Sequence, residues 1–77
     1  MPRFELAMGG YDRGQVDPLV EAVEAARDSR DPATRQDALK ALQMRLNEGF
    51  RQKFRGYAKI QVLNYVEERV RELGREA

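Results

Sequence analysis

Apolar residues recur early in the chain with the spacing of one helix face: Val16, Leu19, Val20, Val23 and Ala26. This i, i+3, i+4, i+7 pattern predicts an amphipathic first helix. Asp17-Pro18 is a start signal, with Asp at the N-cap and Pro at the first helical position. Asp12 is an alternative cap, but Pro18 would then lie inside the helix and break it. We therefore predict a short turn over 12–16 and a helix over about 17–30.

The same signal returns at Asp31-Pro32 and predicts a second helix, which runs to about Asn47 and stops at Gly49. The residues expected on its inward face are Ala38, Leu39, Leu42 and Leu46, with Met44 to one side. The connection between the first two helices is short, which allows only a tight antiparallel hairpin or a bend.

A third helix is predicted over about 59–73, after a loop around Gly56 and with Gly74 near its end. Its apolar residues follow the 3, 4, 3 spacing of a helix-pairing seam: Leu63, Val66, Val70 and Leu73. The seam can pair with a second chain or pack inside a bundle, and two heptads do not distinguish these alternatives. The fold class expected is all-α, as a small three-helix bundle or a helical hairpin plus a helix, with dimeric coiled-coil pairing as the open alternative.

A shift of 46 residues aligns two segments of the chain without a gap. Seven pairs in about 23 positions are identical: Phe4/Phe50, Gly10/Gly56, Tyr11/Tyr57, Gln15/Gln61, Val16/Val62, Val20/Val66 and Glu21/Glu67. Two further pairs are apolar in both segments: Met8/Phe54 and Leu19/Tyr65. The chain therefore contains an internal repeat.

We expect a single helical domain with three parts: copy one over 4–27, a linking helix over 31–48 and copy two over 50–74, all within residues 1–77. In each copy a Gly just ahead of a Tyr allows a sharp backbone turn, and an amphipathic helix follows. We expect Phe4 and Phe50 to anchor the two turns to the bundle.

The net charge of +1 is unevenly distributed. Residues 1–49 carry 7 basic and 9 acidic side chains, whereas residues 50–77 carry 7 and 4. The excess lies in a group that we call the cationic cluster: Arg51, Lys53, Arg55 and Lys59. Aromatic rings interleave with these cations, which suits an anionic membrane surface or a nucleic acid. The small excess, and three glutamates on the third helix, argue against nucleic acid.

The chain has no cysteine and no histidine, which removes disulfides, the usual zinc ligands, the thiol nucleophile and the commonest general base. We therefore predict a protein that is not an enzyme, with no catalytic residue, metal or cofactor. The carboxylates of Asp12, Asp17 and Asp31 are interpreted as helix caps.

A core this small favours association with a protein partner or with a second copy. No apolar run follows the first residues, so we expect a cytoplasmic location.

Both copies resemble the DivIVA N-terminal domain of bacterial cell-division and cell-pole proteins, which carries a Phe, then Phe-Arg-Gly-Tyr-Asp, then Val-Asp or Val-Asn and an apolar helix. Copy one reads Phe4-Glu-Leu-Ala-Met-Gly-Gly-Tyr-Asp-Arg-Gly-Gln-Val-Asp17, and copy two reads Phe50-Arg-Gln-Lys-Phe-Arg-Gly-Tyr-Ala-Lys-Ile-Gln-Val-Leu63. The resemblance covers about 50 of the 77 residues. Copy one lacks the Phe-Arg pair, copy two has Ala58 in place of Asp, and neither leads into a long coiled coil.

The resemblance implies a parallel dimer whose loop tips touch a membrane through a ring and a cation. Only Phe54 and Arg55 match that pair, so the contact is expected in copy two, with Tyr57 and the cationic cluster around it. The alternative is that Phe54 packs into the core and the cations form a solvated rim.

Two copies in one chain add a further hypothesis, in which the first and third helices lie parallel and the second returns between the turns. A homodimer through the seam from Leu63 to Leu73 is the alternative. The function expected is a non-enzymatic scaffold module of division or polar growth, at the inner face of the membrane. A helical nucleic-acid-binding or regulatory protein-binding domain is the alternative.

Overall fold

The computed structural model describes residues 3–76, so residues 1, 2 and 77 of the predicted domain lie outside the described residues. Five elements follow in order: β1 (Leu6–Tyr11), α1 (Arg13–Asp28), α2 (Pro32–Glu48), β2 (Gln52–Tyr57) and α3 (Lys59–Glu76). The expected all-α fold is wrong, because β1 and β2 pair in a two-stranded sheet. Each strand has six residues and no apolar alternation, and its partner is distant in the chain, so no local pattern predicted it.

The two strands pair with an interrupted register. Leu6 faces Tyr57 and Tyr11 faces Gln52, so the partners run in opposite directions along most of the pair. Tyr11 also lies opposite Tyr57. A flat pair of strands could not place Tyr11 opposite both Gln52 and Tyr57, so the strands curve around one another.

Each strand arches away from the helices and returns to them. Before β1, the carbonyl oxygen of Glu5 accepts the backbone N–H of Ala58, at the start of α3, at 2.8 Å. After β1, the backbone N–H of Asp12 donates to the carbonyl of Arg51, also at 2.8 Å. Because both ends of β1 are held at helix starts, its middle lies farthest from the helices, where Gly9 has a φ of 75° that favours glycine.

The two arches cross where Gly10 and Gly56 meet. A Cβ atom on Gly10 would overlap the backbone carbonyl group of Gly56, and one on Gly56 would overlap the backbone oxygen of Tyr11. Glycine alone allows two backbones to approach so closely. The crossing explains why a glycine stands at the same place in both copies.

Reciprocal hydrogen bonds join the two copies near this crossing. The side-chain oxygen of Gln15 accepts the backbone N–H of Arg51 at 2.5 Å. The side-chain oxygen of Gln61 accepts the backbone N–H of Glu5 at 2.7 Å. Each glutamine thus holds the start of the other copy's strand, and an approximate two-fold rotation relates the copies.

The aromatic rings repeat this exchange. Phe4 lies 5.3 Å from the ring of Tyr57, and Phe50 lies 5.1 Å from the ring of Tyr11. Phe50 is buried and Phe4 is half-buried against the core. The prediction that the two phenylalanines anchor the turns is confirmed, and each anchors to the tyrosine of the other copy.

Helices α1 and α3 run in the same direction. Three side-chain hydrogen bonds join the copies: Asp17 with Tyr57 at 2.6 Å, Glu24 with Tyr65 at 2.9 Å and Arg27 with Glu72 at 2.8 Å. The residue numbers of the two partners increase together along the series. Antiparallel helices would reverse that order. Helix α2 connects the end of α1 to the start of β2, so it returns in the opposite direction, as the parallel hypothesis predicted.

Helix α1 begins at Arg13, earlier than predicted. Asp12 is the N-cap, and its carboxylate accepts the backbone N–H of Gly14 at 2.9 Å. Pro18 lies inside the helix and costs one backbone hydrogen bond. The earlier start outweighs this cost because it buries Val16 completely, and for that reason the predicted start was wrong. Asp17 does not cap the helix and accepts the hydroxyl of Tyr57 instead.

Helix α2 has the predicted ends. Asp31 caps it by accepting the backbone N–H of Ala33 at 3.1 Å, Pro32 follows the cap, and Gly49 ends it with a φ of 79°. Of the four predicted inward residues, three are buried: Ala38, Leu39 and Leu42. Leu46 is 41% exposed, which corrects that prediction.

Helix α3 begins at Lys59 as predicted and continues to Glu76, slightly past the predicted end at about residue 73, so Gly74 lies within its last turn. On the predicted pairing seam, Val66 and Leu73 are buried, and Leu63 and Val70 are half-buried. Val66 and Leu73 share one core with α1 and α2, and Val70 packs against it, whereas Leu63 is not part of that core.

Gly10→Ala is expected to lower the free energy of unfolding by about 1–3 kcal/mol, because its Cβ would overlap backbone that cannot move aside. Urea unfolding followed by circular dichroism measures the change. Gly74→Ala is the matched control, since a Cβ there meets open space within a helix. That variant should gain about 0.5–1 kcal/mol. Equal stability of Gly10→Ala and the wild type would contradict the crossing.

Candidate interaction surface

The middles of the two arches form an exposed surface, the crest, which consists of Met8, Gly9, Phe54 and Arg55. Phe54 is 80% exposed and Met8 is 77% exposed. Both line one open cleft of about 350 Å³, together with Leu6, Ala7 and Arg55. The structure therefore favours the surface interpretation of Phe54 over the core interpretation, and it places residues of both copies side by side.

The cationic cluster lies along β2, from Arg51 just before the strand to Lys59 at the start of α3. The guanidinium of Arg51 lies 3.9 Å from the carboxylate of Asp12, and the ammonium of Lys59 donates to the side chain of Gln52 at 2.9 Å. Lys53 and Arg55 are exposed and have no ion-pair partner among residues 3–76. The charge most available to a ligand is thus next to Phe54.

Tyr57 is one of the binding residues predicted from the sequence. In the structure it lies at the end of β2 and packs beneath the exposed crest residues, toward the helices. Its ring packs against Phe4, and its hydroxyl donates to Asp17 at 2.6 Å. This hydrogen bond, with burial and the charge of Asp17 as further causes, raises the pKa of Tyr57 above its ordinary value. Tyr57 is half-buried and offers little free ring surface.

Three exposed apolar residues are not among the site residues predicted from the sequence: Leu6, Met8 and Ile60. Leu6 and Met8 lie in β1 and line the crest cleft, and Ile60 lies in the first turn of α3. A signal existed for Met8, because the repeat aligns it with Phe54. Nothing in the local pattern distinguished Leu6 or Ile60 from core residues.

A second open surface, with a groove of about 540 Å³, lies between α1 and α3. Five charged groups at the groove pair with one another: Arg27 with Glu24 and Glu72, and Arg69 with Glu68 and Glu72. Burial alone would raise the pKa of Glu24, but hydrogen bonds from Tyr65 and Arg27 outweigh it and hold that pKa below 4.5. This network of two arginines and three glutamates joins the helices and has a net charge of −1, which the exposed Arg3 in the groove lining offsets.

The repeat explains why this groove is polar. Val23, Ala26 and Leu73 are fully or nearly fully buried in the core that α2 closes. The positions aligned with them in the other copy are Arg69, Glu72 and Arg27. One linking helix can cover only one side of the α1–α3 pair, so the uncovered side carries charged residues at the equivalent positions.

Within residues 3–76, no group of three or more carboxylates is placed to hold a metal ion. Among the same residues, no helix is both long enough and apolar enough to cross a lipid bilayer. Comparisons with protein families, with curated proteins and with solved structures find no match for this chain. The function is therefore inferred from the crest and its charges.

Tyr65→Phe is expected to lower the free energy of unfolding by about 1 kcal/mol at neutral pH, because Glu24 loses a hydrogen bond. A lowered carboxyl pKa stabilises the fold above pH 4.5, and that contribution disappears as the pH falls through the folded-state value. The variant should therefore lose less stability than the wild type on acidification.

Urea unfolding at a series of acidic pH values tests this expectation. Tyr11→Phe is the control, because the hydroxyl of Tyr11 makes no hydrogen bond within residues 3–76. Parallel pH profiles for the wild type and both variants would show that the Tyr65–Glu24 contact does not stabilise the fold.

Proposed function

We propose that this chain is a non-enzymatic interaction module that binds an anionic membrane surface through its crest. The observation that carries the proposal is the exposed ring of Phe54 beside the two unpaired cations Lys53 and Arg55. An isolated exposed apolar residue is ordinary, but an aromatic ring at the far point of an arch and next to free cations points to a contact.

The physical chemistry of an interface suits this combination. Apolar groups that enter the boundary between headgroups and acyl chains gain free energy in proportion to the area removed from water. Each Lys or Arg near an anionic leaflet adds about 1 kcal/mol. One ring and the two unpaired cations therefore support reversible binding that depends on salt.

The resemblance to the DivIVA N-terminal domain supports the same proposal. The Phe54-Arg55 pair occupies the crest, and the parallel α1 and α3 correspond to the dimer that the resemblance implies. On this basis we propose a scaffold role in division or polar growth, in the cytoplasm at the inner face of the membrane. A protein partner or a second copy of the chain would then bind the surfaces that the membrane leaves free.

The structure favours a membrane over a nucleic acid as the ligand of the cationic cluster. Stacking of successive bases requires several accessible rings. Phe54 is the one exposed aromatic ring among residues 3–76, since Phe50 is buried and Tyr57 is half-buried. A single ring at the tip suits insertion into an interface better than a stacking platform.

Sedimentation with anionic phospholipid vesicles at low salt tests the proposal. Phe54→Ala should weaken binding about tenfold, because it removes most of the inserted apolar area. Arg55→Ala should weaken it about fivefold through the loss of one cation. Leu46→Ala and Arg30→Ala, which change an exposed apolar residue and an exposed cation outside the crest, should bind as the wild type does.

The proposal fails if the wild type does not sediment with anionic vesicles at low salt. It also fails if Phe54→Ala and Arg55→Ala bind as well as their controls. Vesicles of zwitterionic lipid form the second arm, and we expect much weaker binding there because the cations gain nothing from an uncharged surface.

A further inference from the structure

We infer that Met8 is a second apolar anchor of the crest, so that one chain supplies both anchors of the contact. The inference rests on the proposed membrane function and extends it to a residue of copy one. Met8 occupies the position in copy one that Phe54 occupies in copy two, and it is exposed to almost the same extent.

The two side chains lie next to each other in space. Met8 and Phe54 line the same open cleft, and the Cα partner of Met8 across the strand pair is Arg55, the neighbour of Phe54. Strands in such a pair are about 5 Å apart. A surface that touches Phe54 at the far point of its arch therefore meets Met8 as well.

The chemistry of Met8 suits insertion better than a structural role. A methionine side chain is unbranched, flexible and polarisable, and it adapts to irregular apolar surroundings. At its exposure Met8 contributes little to the core, and the core residues do not include it. Its exposed thioether is thus free to contact a ligand.

One chain is sufficient for the two-anchor contact because the pairing of the copies is complete within it. Gln15 and Gln61 each bind the strand of the other copy, and the backbones of Gly10 and Gly56 meet too closely to admit even a Cβ atom. A second chain is not needed to bring the second anchor. Binding should therefore increase in proportion to protein concentration, without a dimerisation threshold.

The charges around the two anchors differ, which provides an independent readout. The copy-one positions equivalent to Arg51, Lys53 and Arg55 are Glu5, Ala7 and Gly9. Met8 should therefore contribute apolar area alone, and its replacement should weaken binding without changing the salt dependence. Replacement of Arg55 should instead reduce the salt dependence, since fewer counterions are displaced.

The test is vesicle sedimentation of the full chain at several salt concentrations, with vesicles that mix anionic and zwitterionic phospholipids. Met8→Ala should weaken binding about three- to tenfold at every salt concentration, and Met8→Phe should strengthen it by a similar factor. Met44→Ala and Met44→Phe, which change an exposed methionine on α2, are the matched controls. Urea unfolding of each variant shows that the fold is retained.

The outcomes separate the two proposals. If the wild type binds, Phe54→Ala weakens binding and both Met8 variants bind like their Met44 controls, the second anchor is disproved and the proposed function stands. If binding rises more steeply than in proportion to protein concentration, the single-chain contact is disproved. If the wild type does not bind anionic vesicles, both proposals fall together.

Discussion

The close contact of two backbones at Gly10 and Gly56 is the constraint on which the rest of this fold depends. Since neither residue has a Cβ atom, the two arches can cross, and the crossing places each phenylalanine against the tyrosine of the other copy. The helices continue from the crossing in one direction and pair, while the arches project in the other. A side chain at either glycine would push the arches apart. It would also break the two reciprocal hydrogen bonds that Gln15 and Gln61 accept.

The crest follows from this geometry. Its residues lie at the middle of each arch, where no other element among residues 3–76 covers them. Met8 and Phe54 therefore remain exposed, although the chain has few large apolar residues with which to form a core. The base of the crest is held by Tyr57 and by the backbone bonds of Glu5 and Asp12. A rigid base lowers the entropy lost when the tip is immobilised on a ligand, which favours binding.

The symmetry of the chain is approximate, and its departures have physical causes. Helix α2 covers one side of the α1–α3 pair, which is why Val23 in copy one corresponds to Arg69 in copy two. At the crest the difference lies in charge, since Lys53 corresponds to Ala7 and Arg55 to Gly9. The copies therefore share one backbone arrangement but present different chemistry, with the cations concentrated on copy two.

The sequence by itself determined what depends on neighbouring residues: the buried face of α1, the cap at Asp31 and the stop at Gly49. It also showed the equivalence of the two copies, because identical residues recur at a fixed spacing. Periodicity, capping and turn formation act over a few residues, so they can be recognised in a single chain. The two strands, the start of α1 before Pro18 and the exposure of Phe54 were decided by the tertiary structure alone. Each of them depends on contacts between segments far apart in the chain, above all the crossing at Gly10 and Gly56, and no local pattern carries that information.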